Sequence, residues 1–220
     1  ARKLAHEIKN PLTPIQLTID RLKDKYSNLI NISDKNSFNS YLKIIANQIK
    51  QIENLVNEFS DFARMPKPIL KNNDLIVILN ENIKLLSEIN LNIKINFNYN
   101  EDKIMFNCDS EQISRVFMNL IKNSIESVNE KNIENTDFNK KIDIEITNKN
   151  DYIEFIIIDN GSGFSDVNLN KIIKPYFTTK TKGSGLGLSI VNKIINDHNS
   201  TIKFIQQDIG AKIIINFKKK

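Results

Sequence analysis

The 220-residue chain has one cysteine, no tryptophan, five prolines and six glycines. With Cys108 as its only thiol it can build neither an internal disulfide framework nor a cysteine-rich metal site. That thiol is expected to pack as a small apolar group. No apolar run approaches the ~18 residues of a membrane span; the densest is Phe155-Ile156-Ile157-Ile158. Nor is there a signal-peptide pattern, because the sequence opens directly on a polar, periodic segment. The expectation is a cytoplasmic fragment, compatible with a reducing compartment and making no membrane contact itself. The formal charge of +5 hints at nucleic acid. Its distribution argues otherwise: lysines are scattered among acids, and no basic cluster is interleaved with aromatics. Lys218-Lys219-Lys220 reads as a solvated end, and no nucleic-acid partner is expected. A hydrophobic fraction of 40% with 26% charged residues fits a folded globular chain.

Scarcity makes the glycines and prolines informative. Gly161, Gly163, Gly183, Gly185 and Gly187 share one stretch, leaving Gly210 outside it. Glycine is needed where backbone takes a positive φ or approaches a ligand closely, so that stretch reads as loops built around something. Pro11 and Pro14 follow His6, Pro66 and Pro68 form a break, and Pro175 precedes the second glycine group.

Before the break, apolar residues recur at steps of four and three. Leu4, Ile8, Leu12, Ile15, Ile19, Leu22, Tyr26 and Leu29 form one series. After a polar turn, Leu42, Ile45, Ile49, Ile52, Val56, Phe59 and Ala63 form another. This is the seam of two helices, joined into an antiparallel hairpin. One hairpin cannot bury such a stripe, so two should pair into a four-helix bundle, as a homodimer through residues 1–66. Met65-Pro66-Lys67-Pro68 should end the second helix.

The remainder, 67–220, reads as alternating helices and strands, which makes the whole an α+β chain. Residues 75–89 look helical. Leu91, Ile93, Ile95, Phe97 and Tyr99 alternate as a strand, and 104–108 as another. Asp109 with Gln112 resembles a capping box opening a helix that carries Ile113, Val116, Phe117, Leu120 and Ile121. Residues 141–148, 152–159, 201–206 and 211–217 read as strands, and a helix near 185–198 starts inside the glycine group.

Four segments could carry chemistry. In His6-Glu7-Ile8-Lys9-Asn10-Pro11, His6 and Glu7 fall between seam positions and should face solvent, with Asn10 one turn later on the same face. A histidine nitrogen is a nucleophile near neutrality, and an adjacent carboxylate can hold and orient it. Pro11 interrupts an otherwise good helix at a cost of about 3 kcal/mol, which suggests that a local bend is wanted. Asn119 and Asn123 share a helical face and read either as solvated amides or, among the apolar neighbours Val116, Leu120, Ile121 and Ile125, as an amide oxygen that could ligate Mg²⁺. Asp159-Asn160-Gly161-Ser162-Gly163 follows an apolar strand, giving either an Asx turn or a carboxylate aimed at an exocyclic amine. Lys182-Gly183-Ser184-Gly185-Leu186-Gly187-Leu188 opens a helix and reads as a phosphate cradle, yet matches neither the dinucleotide-binding nor the Walker A spacing.

In order, these segments resemble the H, N, G1 and G2 boxes of sensor histidine kinases, and they span nearly the whole chain. Lys174-Pro175-Tyr176-Phe177-Thr178-Thr179-Lys180 looks like the F box. HEIKNPLTPIQL, residues 6–17, is similar to the nitrogen-regulation branch of membrane sensor kinases. The resemblance implies a dimerising phosphotransfer hairpin at 1–66. It also implies a Bergerat-type α/β sandwich at 67–220, binding ATP with Mg²⁺ beneath a lid at 164–182. It makes His6 the phosphoacceptor, Glu7 the base and Asn10 a residue that positions water for phosphatase activity. Asn123 would bind Mg²⁺ with Asn119 assisting, and Asp159 would contact the adenine amine. Gly161, Gly163, Lys180, Gly183, Gly185, Leu186 and Gly187 would shape the nucleotide pocket. A response regulator's receiver aspartate would take the phosphoryl group, and the full-length protein would be anchored in the inner membrane. Two positions depart from the pattern: Ile173 replaces the leading Phe of the F box, and His198-Asn199-Ser200 replaces His-Gly-Gly. His198 is expected to act on the helix dipole and not in catalysis. Hydrolytic ATPases of the same fold carry a glutamate where Asn119 stands, so hydrolysis by that route is not expected.

Overall fold

The computed structural model describes residues 2–27, 29–134, 138–164, 169, 171–179 and 183–219, and the side chains of all but 2–6, 32 and 132–134 among them. The chain divides into two compact units, Ala1–Pro66 and Lys67–Lys220.

The first unit is a helical hairpin, α1 (Arg2–Tyr26) and α2 (Ile32–Arg64). Pro11 and Pro14 lie inside α1, which runs through both, so the expected interruption at Pro11 is not a break. A proline at i cannot bond the carbonyl at i−4, so the cost falls on the carbonyls of Glu7 and Asn10. Leu29 lies beyond the helix, because Leu29 and Ile30 both turn their amides back to the Tyr26 carbonyl. The apolar seam separates into two sets, each with a seven-residue repeat. Leu12, Ile19, Leu42, Ile49 and Val56 are buried, the first four as one cluster with Phe38 against it. Ile8, Ile15, Leu22, Ile45 and Ile52 are exposed, Ile15 and Ile45 each by 45%. A two-helix hairpin covers one of its two heptad positions and leaves the other open. Met65 caps α2, and Met65-Pro66-Lys67-Pro68 ends it as the sequence requires.

The second unit runs β1 (Lys71–Asp74), α3 (Leu75–Ile89), β2 (Lys94–Tyr99), β3 (Met105–Cys108), α4 (Ser110–Glu134), β4 (Lys141–Asn148), β5 (Tyr152–Asp159), α5 (Gly187–Asp197), β6 (Thr201–Gln206) and β7 (Ala211–Lys218). Five strands form a sheet in the order β2-β4-β5-β7-β6, with β1 and β3 as a separate pair. Among the described residues only β2 and β4 are parallel within the larger sheet, and the connection between them contains α4, as a parallel pair requires. The short β1 carries no apolar alternation, and the sequence does not announce it; it forms because β3 pairs with it. The strand expected from Leu91 begins at Lys94, since Ile93 is drawn into a turn by the Asn90 carbonyl.

Alternation decides which face is covered. Ile142, Ile144 and Ile146, Ile153, Phe155 and Ile157, and Ile213, Ile215 and Phe217 are all buried. Helices α4 and α5 lie against the sheet, and α3 packs on α4. Phe117 of α4 stacks obliquely on Phe155 at 5.0 Å and edge-on to Phe217 at 6.3 Å. Such pairs add about 0.5–1.5 kcal/mol each to burial. Asn82 donates to Ser114 at 2.9 Å, tying α3 to α4. Cys108 is fully buried, as expected, and burial pushes its thiol up to about 11, with Asp109 adding to the effect and Asn73 opposing it.

Candidate active site

β5 ends in Asp159, whose carboxylate is buried. It is 4% exposed, wedged between the sheet and α4. Ser124 and Ser127 lie three residues apart on α4 and so share a face. Ser124 Oγ donates to one carboxylate oxygen at 3.1 Å, and Ser127 Oγ to the other at 3.2 Å. The Gly161 amide donates to that second oxygen at 3.0 Å, closing an Asx turn. The turn and the buried carboxylate are therefore one feature. Burial pushes the Asp159 carboxyl above the ordinary carboxylate range, against the pull of Gly161, Ser124, Ser127 and the Ala211 amide. Two of these donors are hydroxyls, which can rotate and yield a lone pair to an incoming amine.

The glycines around Asp159 allow backbone to meet backbone. A Cβ on Gly161 would stand 2.2 Å from Ser127 Oγ, so this turn closes on α4 only without a side chain. Gly210 lies in the turn between β6 and β7. The structure sets it against the same carboxylate residue, at φ +76°, where a Cβ would lie 1.8 Å from the Asp159 carbonyl oxygen. Gly163, across from it, would meet the Gly210 carbonyl at 2.7 Å. Lys131, at the far end of α4, donates to the carbonyls of Asn160 and Gly161 at 3.2 and 3.3 Å and holds the turn from outside.

The second glycine group leads into α5. Buried Leu186 precedes the helix and offers no side-chain cap, while Gly187 is its first residue. A Cβ on Gly187 would lie 3.0 Å from Asn119 Oδ1, so the start of α5 abuts the amide oxygen of Asn119 on α4. The Asn119 amide nitrogen donates back to the Arg115 carbonyl at 2.8 Å, which turns the oxygen outward. Asn123 is half-buried one turn further along α4. Gly185 has φ +69° and sits against the backbone of Tyr176 and Phe177, and Gly183 is exposed. Lys180 and much of the expected lid lie outside the described residues.

These positions fit a nucleotide. A carboxylate at a strand end can accept from a purine amine, an uncapped helix start suits phosphate, and an amide oxygen lies beside that start. Among the described residues no three His, Cys, Asp or Glu side chains gather as a metal site. A magnesium ion would accordingly be held by amide oxygen and nucleotide phosphate, which matches its demand for oxygen ligands.

Glu7 and Asn10 are exposed on α1, in the other unit. His6 lies on α1, and its side chain is outside the described set. His198 is buried at the end of α5, where Nδ1 lies 2.8 Å from the Ile194 carbonyl. Its contact with the helix end is thus a hydrogen bond to a carbonyl. Sequence reasoning missed Ser124, Ser127, Lys131 and the role of Gly210. The first two share a face of α4, and nothing local marks a serine that will meet a carboxylate.

The fold and site define a nucleotide-binding unit preceded by a helical hairpin. The family described as "Histidine kinase-, DNA gyrase B-, and HSP90-like ATPase" matches residues 108–220, and "His Kinase A (phospho-acceptor) domain" matches 1–68. The NtrY-like sensor histidine kinase of Rickettsia prowazekii is 41% identical over the whole of this chain and 36% of its own length. Nitrogen regulation protein NtrY of Azorhizobium caulinodans is 34% identical over 92% of this chain and 26% of its own length. The chain thus spans about a third of the length of the curated relatives it matches. Among solved structures, histidine kinase ThkA in complex with response regulator protein TrrA aligns with a TM-score of 0.70 and 27% identity, over 100% of this chain and 60% of that one. The ThkA catalytic domain alone gives 0.59 and 28%, over 68% and 95%. The chain belongs to the sensor histidine kinases and carries their catalytic core.

Proposed function

We propose that this core transfers the γ-phosphoryl group of Mg-ATP to His6 and then to an aspartate of a response regulator. The observation that carries the reading is the buried Asp159 carboxylate, joined through α4 to the uncapped start of α5 beside Asn119. In this reading Asp159 accepts from the adenine amine, and Gly161 and Gly163 let the pocket wall pass close. Lys180, Gly183, Gly185, Leu186 and Gly187 frame the phosphates. Asn123, with Asn119 assisting, would hold Mg²⁺, which would supply charge to offset that developing on the transferred group. A His6 nitrogen attacks the γ-phosphorus, the bond to the β-phosphate oxygen breaks, and ADP leaves; Glu7 holds the proton on the ring's other nitrogen. The regulator's carboxylate then takes the phosphoryl group from nitrogen. Catalysis on this scheme is positioning and electrostatics.

Exposed Asn10, one turn after His6, supports a phosphatase role toward the same regulator, with the amide orienting water. The ThkA–TrrA complex supports the choice of partner class. Among the described residues no helix is long and apolar enough to cross a membrane. A cytoplasmic location for this core, and an inner-membrane anchor elsewhere in the whole protein, rest on the resemblance to the nitrogen-regulation branch.

Incubation with γ-labelled ATP and Mg²⁺ tests the reading. The wild type should take up acid-labile, base-stable label, and His6→Ala should take up none. Label that persists in the variant would reject His6 as acceptor, and a wild type that binds nucleotide without labelling would reject the kinase reading.

The open heptad set supports a homodimer through residues 1–66. Ile15 and Ile45 belong to the exposed repeat, and covering the exposed 45% of each on pairing contributes about 1 kcal/mol. Ile15→Asp combined with Ile45→Asp should convert a dimer to a monomer in light scattering at micromolar concentration. The second unit should keep its nucleotide affinity. A wild type that is already monomeric would sink the bundle.

A further inference from the structure

Just beyond the connection between the two units, the backbone is held by the side chain of Asp109. Asp109 precedes α4 and caps it: one carboxylate oxygen accepts from the Gln112 amide at 3.1 Å, and the Asp109 carbonyl accepts from Ile113 at 3.0 Å. The other carboxylate oxygen accepts from the Ile69 amide at 2.9 Å, one residue beyond Pro68. A helix cap needs only one oxygen. The second is committed to the connecting segment, forty residues away in sequence. It continues the β1–β3 ladder, in which Lys71 stands opposite Cys108.

The Asp109 amide also has an unexpected partner. In a capping box the residue three along would accept it. Here His198 Nε2 accepts it at 3.1 Å, while Nδ1–H donates to the Ile194 carbonyl at 2.8 Å. The buried imidazole is therefore held as the Nδ1–H tautomer, with both nitrogens occupied. The end of α5, the start of α4 and the connecting segment all converge on residue 109. These are the two helices that carry Asn119, Asn123, Ser124, Ser127 and Gly187.

We propose that Asp109 is a positioning residue: its second oxygen ends the flexible joint at Ile69 and registers that joint to the helices that bind nucleotide. The joint therefore reaches no further than Pro68, and two of the residues before the pin, Pro66 and Pro68, are stiffened by their rings. Releasing Ile69 would add Ile69 and Leu70 to the joint, up to the start of β1, and dilute the orientations in which nucleotide can reach an acceptor. This functional consequence rests on the histidine kinase reading, whereas the pin itself does not.

Asp109→Asn and Asp109→Ser separate the two roles, because Asn and Ser cap helices about as well as Asp but cannot offer two carboxylate oxygens. Amide hydrogen exchange in the full chain tests the pin. The Ile69 amide should exchange about tenfold faster in both variants than in the wild type, with Gln112 unchanged; an Ile69 amide already unprotected in the wild type overturns the proposal. The kinase assay tests the consequence. At saturating ATP, autophosphorylation should fall about tenfold, the factor expected for one hydrogen bond to a charged group, while nucleotide Kd changes less than twofold. Equal losses in rate and affinity, or an unchanged rate, overturn the positioning role. A wild type that fails to label but shows the exchange pattern counts against the kinase reading alone.

Discussion

Asp159→Asn should weaken nucleotide binding by about 100-fold or more, while leaving the nucleotide-free fold as stable as the wild type or more so. The first part follows from polarity. A carboxylate oxygen accepts from an exocyclic amine, whereas the Asn amide nitrogen meets it donor to donor in a buried site, where an unpaired group costs its full desolvation. The second part follows from charge. Burial holds the Asp159 carboxyl above the ordinary carboxylate range despite donors from Gly161, Ser124 and Ser127. Between the unfolded and the raised folded pKa the native state binds more protons than the unfolded one, so stability falls as pH rises through that window. The contribution is fully present below the unfolded value and lost above the folded one. Asn carries no such titration. Urea midpoints of the nucleotide-free protein across mildly acidic pH should decline for the wild type and stay flatter for the variant. Parallel curves would mean that the buried charge imposes no cost, and unchanged nucleotide affinity would remove Asp159 from the site.

Gly210→Ala should be nearly as damaging, though residue 210 belongs to a hairpin turn. Its φ of +76° costs an L side chain about 1–2 kcal/mol. The added carbon would also stand 1.8 Å from the Asp159 carbonyl oxygen and 2.8 Å from Asn160 Cα. Backbone cannot give way as a flexible side chain can. Either β7 withdraws from β5 or Asp159 shifts from Ser124 and Ser127. A loss of about 3 kcal/mol or more is expected, a fall in melting temperature of roughly 10 °C for a chain of this size. Nucleotide binding should fall with it. Ile209→Ala, at the exposed neighbour, should change stability by about 0.5 kcal/mol or less. Equal tolerance at 209 and 210 would show that the turn can move away from the carboxylate.

Elements with a clear period or a strong punctuator were legible. The 141–148 strand alternates without a break and 152–159 carries the densest apolar run, and the structure gives both strands those bounds. Met65-Pro66-Lys67-Pro68 could only end a helix. Where period was absent, reading failed: Lys71-Asn72-Asn73-Asp74 has nothing to alternate and is a strand only because β3 supplies a partner. Pro11 shows the reverse case: a strong local breaker lies within α1, across which the apolar series already ran, and α2 packs along it. At the candidate site, Asp159 and five glycines stood out because such residues are informative when rare and clustered. Ser124 and Ser127 did not, because nothing local distinguishes a serine that faces a carboxylate from one that faces water.

The sequence by itself determined the two-part plan, the heptad seam, the strand-tip carboxylate and the order of segments that resembles a histidine kinase. These depend on spacing along the chain, and spacing is local. Only the tertiary structure decided which half of the seam a single hairpin covers. It also decided that Gly210 closes on Asp159, that Asn119 meets the start of α5, and that Ile69, Asp109 and His198 converge. Each of those joins residues dozens of positions apart, through a sheet register or a helix packing that no window of sequence contains.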